Sequence, residues 1–306
     1  MTAAPLGTRL RWAAEAAIAR AVFGLFRMLG PARASNLGGA IARTIGTLLP
    51  VSRVALRNIA IAFPDRDEAF RRATLTAAWD NLGRVIAEYP HLASLKRTPS
   101  GPGWEFDGDA MMAGIAATGG PVIFVSGHIA NWELLPPVVA HFGIAMSSVY
   151  RAPSNPLVDA IILRYRQAAI APLDAALFPK GAEGARATLA HLRRGGVLGM
   201  LLDQKMNDGI AATLFGERAM TAPALAQLAL RYRCPVIPGR AMRVGPARYR
   251  FAAEAPLALP DSGDKAADVA ALTQAVNDTL SRWITDRPAE WLWFHRRFDK
   301  ALYRQD

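Results

Sequence analysis

Alternation between buried strands and helices is the sequence feature that most restricts the fold of this chain. From residue 104 onward, short apolar runs are separated by longer stretches with apolar residues at helical spacing. The run at 121–126 is almost continuously apolar, which is typical of a strand buried on both faces of a parallel sheet. The alternation predicts an α/β fold with a central, largely parallel sheet flanked by helices.

A helical N-terminal part precedes this alternating region. Helical patterns at 8–30, 35–49, 51–62 and 66–90 end at or near prolines or glycine. The Pro- and Gly-rich loop at 96–103 separates them from the alternating part. The predicted strands are 104–106, 121–126, 144–150, 196–202, 235–242 and 248–253, and the helices between them are 108–118, one after Asn131, 156–169, 183–194, 221–232 and 265–286.

The N-terminal helices carry an unusual charge. Residues 1–60 hold eight arginines, no lysine and Glu15 as their single acid, in a chain of 306 residues with a net charge of +11. Basic residues mixed with apolar ones are typical of a helix lying on an anionic membrane. We therefore divide the chain into a basic, amphipathic, membrane-associating region at 1–62 and an α/β domain at 63–306.

Two other readings of the N-terminal region stay open. A helix at 10–29 is long enough to span a membrane, but charged side chains interrupt it: Arg11, Glu15, Arg20 and Arg27. Plain packing of an amphipathic helix on the domain is the second alternative. We expect no signal peptide, because the apolar stretch lacks an uninterrupted core and a clear small-residue cleavage site.

Several function classes do not fit the composition and motifs. The single cysteine, Cys234, excludes a disulfide framework and a cysteine-based zinc site, and indicates a reducing compartment. Cys234 precedes a proline and an apolar strand, so we place it in the core. No P-loop is present, and the basic residues do not form a recognised nucleic-acid motif.

Polar side chains follow three of the predicted strands. His128 comes after 121–126, Arg151 after 144–150, and the pair Asp203 and Gln204 after 196–202. In open α/β sheets, ligands bind beyond the carboxyl ends of the strands. The three strand ends therefore predict a site at one edge of the sheet. In the alternative reading, Arg151 pairs with a surface acid and Asp203 only caps a turn.

The first strand end has the pattern of a general base. Gly127 permits a sharp turn, Asn131 is a suitable cap for the next helix, and Glu133 could bend back to the imidazole of His128. A carboxylate on one ring nitrogen leaves the other free to accept a proton. Ser126 lacks the flanking glycine of a nucleophile elbow, so we expect direct activation of a substrate hydroxyl. A metal on His128 and Glu133 would lack a third ligand at suitable spacing.

Six segments, in chain order, resemble those of one family, the bacterial lipid A biosynthesis acyltransferases, or lauroyl/myristoyl transferases. The resemblance covers about residues 35–300. The segments are RNIAIAFP at 57–64, GHIANWE at 127–133, YRAPSNPLVD at 150–159, LGMLLDQ at 198–204, FGERAMT at 215–221 and WLWFHRRF at 291–298.

The resemblance implies a glycerol-3-phosphate-acyltransferase-like fold at the cytoplasmic face of the bacterial inner membrane. It implies acyl transfer from acyl carrier protein to a hydroxyl of a 3-hydroxyacyl chain on a lipid A precursor, chemistry that needs no cofactor or metal. His128 matches the base and Glu133 its acidic partner. The expected substrate or oxyanion residues are Arg151, Asp203, Asn131 and Gln204. Ala130 replaces a glycine common in the family, which bears on the turn or on the acyl pocket.

Three alternatives to this function remain. The same chemistry could act on another glycolipid, an aminolipid or a secondary metabolite. A thioesterase or esterase would use His128 to activate water instead of a lipid hydroxyl. A non-enzymatic basic binder of membrane or nucleic acid would leave the three polar strand ends unexplained.

Overall fold

A mixed sheet with helices on both faces forms the centre of the protein. The structure is a computed structural model, which describes residues 5–179 and 181–304. The helices in these residues are α1 (Leu6–Leu29), α2 (Pro31–Ile45), α3 (Val51–Ala62), α4 (Glu68–Glu88), α5 (Asp109–Thr118), α6 (Leu135–His141), α7 (Pro156–Ile170), α8 (Ala182–Arg193), α9 (Ala224–Tyr232) and α10 (Lys265–Asp286). The strands are β1 (Gly103–Asp107), β2 (Val122–Ser126), β3 (Met146–Tyr150), β4 (Leu177–Pro179), β5 (Val197–Leu201), β6 (Ile210–Leu214), β7 (Glu217–Thr221), β8 (Val236–Gly245) and β9 (Arg248–Ala253).

The main sheet has seven strands in the order β1-β9-β8-β2-β5-β3-β4. All neighbouring strands are parallel except β8 and β9, which form an antiparallel pair. The prediction of an α/β fold with a largely parallel sheet is confirmed. Ser126 pairs with Leu201, so β2 and β5 end side by side. The residues that follow these two strands therefore meet at one edge of the sheet.

Burial on both faces explains why β2 is continuously apolar. All five of its residues are buried. Ile123 and Val125 join the larger core, whereas Val122 and Phe124 belong to a second cluster on the other face. Side chains alternate between the faces of a strand, and each face of β2 is therefore covered by helices.

The N-terminal helices pack directly against the rest of the fold. Helix α2 crosses α4 so closely that a Cβ on Gly38 would lie 2.4 Å from the carbonyl oxygen of Gly83. Glycine, which has no Cβ, allows this approach. On α1, Phe23 stacks on Tyr89 and meets the edge of Tyr165 on α7. The domain boundary between residues 62 and 63 stays a prediction.

The outer faces of α1 and α2 carry large apolar side chains in contact with solvent. Met28 is 80% exposed and Leu48, just after α2, is 82% exposed. The other exposed residues of this surface are Leu6, Leu10, Ile18, Val22, Leu25, Leu37, Ile41 and Ile45. Within the described residues no single helix has the length and apolar character of a membrane span, while the bent pair Pro31–Leu48 and Val51–Ala62, at 91°, meets the criterion together.

Two structural features were absent from the sequence prediction. Strand β4 has only three residues, too short for a period to show, and it pairs in parallel with β3. Strands β6 and β7 form a separate hairpin. Helix α2 also starts at Pro31 instead of residue 35, because Pro31 occupies the first helical position after Gly30, where its missing N–H has no cost.

Candidate active site

His128 lies at the end of β2 and is held by a carboxylate from the end of β5. Its Nδ1 is 2.8 Å from Oδ1 of Asp203, and its backbone N–H donates to Oδ2 of the same carboxylate at 2.9 Å. Trp291 adds a third hydrogen bond, from Nε1 to Oδ2, at 2.8 Å. These contacts fix both the imidazole and the turn that carries it.

Asp203 is suited to orient and charge-stabilise the imidazole. Its side chain is 3% exposed, and burial by itself would raise its pKa. The charge and hydrogen bonds of His128, with the Trp291 N–H, outweigh burial and hold the pKa of Asp203 well below its ordinary value. An ionised carboxylate only accepts hydrogen bonds, so Nδ1 carries the proton and Nε2 is the nitrogen that can accept one.

Glu133 lies elsewhere in the site and has a different partner. Its two oxygens accept from Nε and Nη2 of Arg166 on α7, at 2.7 and 2.6 Å, and Oε1 also accepts from the Trp132 ring N–H at 3.1 Å. Burial would raise the pKa of Glu133, but the hydrogen bonds and charge of Arg166 lower it overall. The structure thus places Asp203, and not Glu133, at Nδ1 of His128, while the catalytic role expected for Glu133 stays a prediction. Asp203 occupies that position, because β5 brings it to Nδ1 while the turn at Trp132–Leu134 aims Glu133 at α7.

A cavity of about 420 Å³ opens at His128 and continues along the sheet beneath α5 and α6. Its polar end includes His128, Glu133 and Arg166, and its wall deeper in the fold includes buried apolar residues. The apolar lining includes Met112, Phe124, Val138, Val139 and Met146. A polar mouth that leads into a long apolar wall can hold a molecule with a reactive head and a hydrocarbon tail.

The chain was compared with known protein families. The family model described as bacterial lipid A biosynthesis acyltransferase matches residues 8–300. The chain belongs to this family. It is therefore an acyltransferase, and its family implies an acceptor of the lipid A type. A comparison with curated proteins finds no match.

Two of the predicted substrate residues of this acyltransferase lie at the cavity. Arg151, just beyond β3, is exposed and lines it, as does Gln204 next to Asp203. Arg151 makes no hydrogen bond or ion pair with any residue the structure describes. Both side chains can reach a molecule bound in the mouth, and their roles stay predictions.

Asn131, expected from the sequence to bind substrate, is bound inside the protein. It is fully buried, its amide donates to Glu88 Oε2 at 2.8 Å, and its Oδ1 accepts from the Glu133 backbone N–H at 3.2 Å. Capping of the next turn is confirmed. Both ends of the amide are bound inside the protein, and the expected role of Asn131 in substrate binding stays a prediction.

Ala130 of this acyltransferase belongs to the turn and not to the cavity. Ala130 has φ of 50°, in the left-handed region that favours glycine. Its N–H donates to the carbonyl of Glu290 at 2.9 Å, and its own carbonyl accepts from Asn81 at 3.2 Å. These bonds hold the turn after His128 in its strained conformation. Ala130 is fully buried away from the cavity lining.

Sequence reasoning missed four residues of the site: Arg166, Arg240, Trp291 and His295. All but Trp291 line the cavity, and Trp291 binds Asp203. Trp291 and His295 fall in a segment that resembles the family, but the sequence alone gave them no role. Arg166 lies in an ordinary helical pattern that carries no signal. Among the described residues, no three His, Cys, Asp or Glu side chains lie close enough together to hold a metal ion.

Proposed function

We propose that this enzyme moves a fatty acyl group from an acyl carrier protein thioester to a hydroxyl of a 3-hydroxyacyl chain on a lipid A precursor. The observation that carries the proposal is the His128–Asp203 pair at the mouth of an apolar cavity. A base activates the hydroxyl, and the cavity takes up the hydrocarbon chain. Family membership supplies the acceptor class.

The proposed reaction is a single displacement. Nε2 of His128 takes the hydroxyl proton as the acceptor oxygen attacks the thioester carbon, and Asp203 stabilises the imidazolium that forms. The carbon–sulfur bond then breaks, and His128 gives its proton to the departing sulfur, which leaves as a thiol. No side-chain nucleophile takes part, and the step needs no metal or cofactor.

Developing charge on the thioester oxygen requires a donor in the cavity mouth. Arg151 supports this role because its guanidinium is at the mouth and has no acidic partner among the described residues. Preorganised donors of this kind contribute about 3–4 kcal/mol to transition-state stabilisation. Glu133 supports the site indirectly, since it fixes Arg166 in the cavity wall.

We also propose that the enzyme lies on the cytoplasmic face of the inner membrane through the outer faces of α1 and α2. These faces expose large apolar side chains beside exposed arginines, including Arg9, Arg20, Arg27 and Arg33. Apolar side chains can enter the headgroup region, and each arginine near an anionic surface adds about 1 kcal/mol of attraction. The cavity would then receive a lipid acceptor from the same surface.

Mass spectrometry of the lipid tests the proposed reaction. The purified enzyme is incubated with an acyl carrier protein thioester and a lipid A precursor, and we expect a mass increase of one acyl group. His128→Ala, checked for folding by circular dichroism, should form no product. Consumption of the thioester to free fatty acid with no change in the lipid would instead indicate hydrolysis and would refute the proposed transfer.

A further inference from the structure

Two basic side chains directly follow residues that line the cavity. Lys205 follows Gln204 and Arg296 follows His295, and both preceding residues line the cavity. Arg218 on β7 and Arg304 after the short turn Lys300–Tyr303 add two exposed cations. Lys205, Arg218, Arg296 and Arg304 are called the C-terminal basic patch below.

Contacts through the C-terminal segment place these four residues in one neighbourhood. Lys205 Nζ donates to the carbonyl of Phe298 at 3.1 Å, and the Arg296 guanidinium lies 5.8 Å from the centre of the Tyr303 ring. The Asp299 carboxylate accepts from the Ala301 N–H, which lowers its pKa, and the charges of Lys205, Arg218 and Arg304 lower it further. Three of the four cations therefore act on the same carboxylate.

The patch has little internal compensation for its charge. No residue of the patch forms an ion pair within 4 Å with an Asp or Glu in the described parts of the chain. Asp208, Glu217 and Asp299 are the exposed acids in the same segments. By contrast, Arg166, Arg243 and Arg287, which are at least partly buried, are each bound to a glutamate. The patch is thus a cationic surface available to an acidic partner.

The side chains around the patch favour a protein partner over a lipid surface. The outer faces of α1 and α2 combine arginines with many exposed apolar residues, which suits insertion into a membrane. Beside the patch, Met206 is the exposed large apolar side chain in the described segments that form it. Charge without an apolar face is the surface expected for electrostatic docking of a soluble acidic protein.

We propose that the C-terminal basic patch is the docking surface for the acidic protein that carries the acyl thioester. An acidic face of the carrier would lie against Lys205, Arg218, Arg296 and Arg304, and its thioester arm would enter the cavity between Gln204 and His295. This inference rests on the proposed acyl transfer. It adds the surface at which the donor binds. This surface is charged, whereas the surface proposed for the membrane is largely apolar.

The test compares one acyl group on two donors. Activity of Arg218→Glu/Arg304→Glu is measured with the carrier-protein thioester and with the same acyl group on pantetheine, using a detergent-dispersed lipid acceptor. We expect KM for the carrier thioester to rise about tenfold, while KM and kcat for the pantetheine thioester stay unchanged. Raising the salt concentration should increase the carrier KM of the wild type more than that of the variant, because salt screens exposed charges.

Arg193→Glu is the matched control. Arg193 is exposed at the end of α8, does not line the cavity and forms no ion pair with a described residue. It should leave both donors unaffected. Equal loss on both donors in the double variant, or weaker flotation with anionic vesicles at an unchanged carrier KM, would overturn the docking proposal. Equal KM values of the wild type for the carrier thioester and the pantetheine thioester would also reject the docking proposal. If neither donor acylates the lipid, the proposed function itself is rejected.

Discussion

At the residue scale, the hydrogen bond between Asp203 and His128 predicts that Asp203 is the more critical of the two site carboxylates. Asp203→Asn removes the charge that stabilises the imidazolium and leaves an amide that can favour the wrong tautomer. We expect kcat to fall about 10²–10⁴-fold with little change in KM. Steady-state kinetics with the carrier thioester measures both quantities.

Glu133→Gln is the comparison for Asp203→Asn. Glu133 holds Arg166 in a largely buried ion pair, so its loss should act mainly on folding, with a decrease of about 3 kcal/mol in the free energy of unfolding. The kcat of the Glu133→Gln variant should stay above that of the Asp203→Asn variant. If Glu133→Gln is the slower enzyme while remaining folded, the sequence-based pairing of Glu133 with His128 describes the chemistry better than the hydrogen bonds do.

Ala130 gives a second prediction at this scale. The positive φ of Ala130 costs a residue with a side chain about 1 kcal/mol of stability. Glycine avoids this cost, but it increases the conformational entropy of the unfolded chain, which lowers stability by about the same amount. Ala130→Gly should therefore change stability by less than about 1 kcal/mol. Ala130→Val should be destabilised by about 2–3 kcal/mol, because a β-branched residue is poorly accommodated at this φ. Urea denaturation separates the two outcomes, and a stable Val variant would contradict the strained turn.

The sequence identified His128 but chose its partner by local spacing. Glu133 is five positions away in the chain, whereas Asp203 is 75 residues away and meets the imidazole only because β2 and β5 are neighbours. Parallel pairing of these strands was predicted in general, but their order in the sheet was not. Trp291 is still farther along the chain, and a single sequence carries no signal that it would reach Asp203.

At the element scale, most segments of the alternating part were predictable, whereas the shortest strand and the hairpin β6–β7 were not. The alternating pattern located most of the helices and the strands β1, β2, β3, β5, β8 and β9; β2 is continuously apolar and β8 has ten residues. The hairpin β6–β7 escaped because its residues are only partly buried and include small alanines. Its position depends on tertiary bonds, such as the Asn277 amide to the Thr213 carbonyl at 3.0 Å.

Helix α1 has a buried face and an exposed apolar face, which we propose contacts the membrane, and mutations can separate the two roles. Phe23 is buried against Tyr89 and Tyr165, so Phe23→Ala should lower the free energy of unfolding by about 3 kcal/mol. Replacing Leu10, Ile18 and Leu25 together by Ser should leave stability nearly unchanged, because these side chains are exposed.

Vesicle flotation and urea denaturation test this separation. The triple Ser variant should lose binding to anionic vesicles, whereas Phe23→Ala should retain it below its unfolding transition. Asn155 ties the inner side of α1 to the start of α7, since its amide donates to the Trp12 carbonyl and to Glu15. Undiminished flotation of the triple variant would remove α1 from the proposed membrane surface.

At the scale of the whole molecule, buried carboxylates determine how stability responds to acid. The pKa of Asp203 and that of Glu133 are lower in the folded protein than their ordinary values of 3.8 and 4.5. Below those ordinary values the unfolded chain binds protons that the folded protein does not. The stabilisation from these groups is therefore present above that range and is lost as the pH falls through it. Glu290, whose pKa is raised mainly by burial, acts in the opposite direction.

We expect the free energy of unfolding to decrease as the pH is lowered from about 5 to about 3, and to change little through these groups above about pH 6. Glu290 opposes this trend, whereas Asp80, Asp109, Glu254 and Asp299, whose pKa values are also lowered, add to it. Urea denaturation at a series of pH values measures the decrease. Asp203→Asn should be less stable at neutral pH but show a shallower decrease, since the side chain that binds a proton on unfolding is gone. An equally steep decrease in Asp203→Asn would mean that the acid response comes from other carboxylates, and that Asp203 is not held in its charged form by the site.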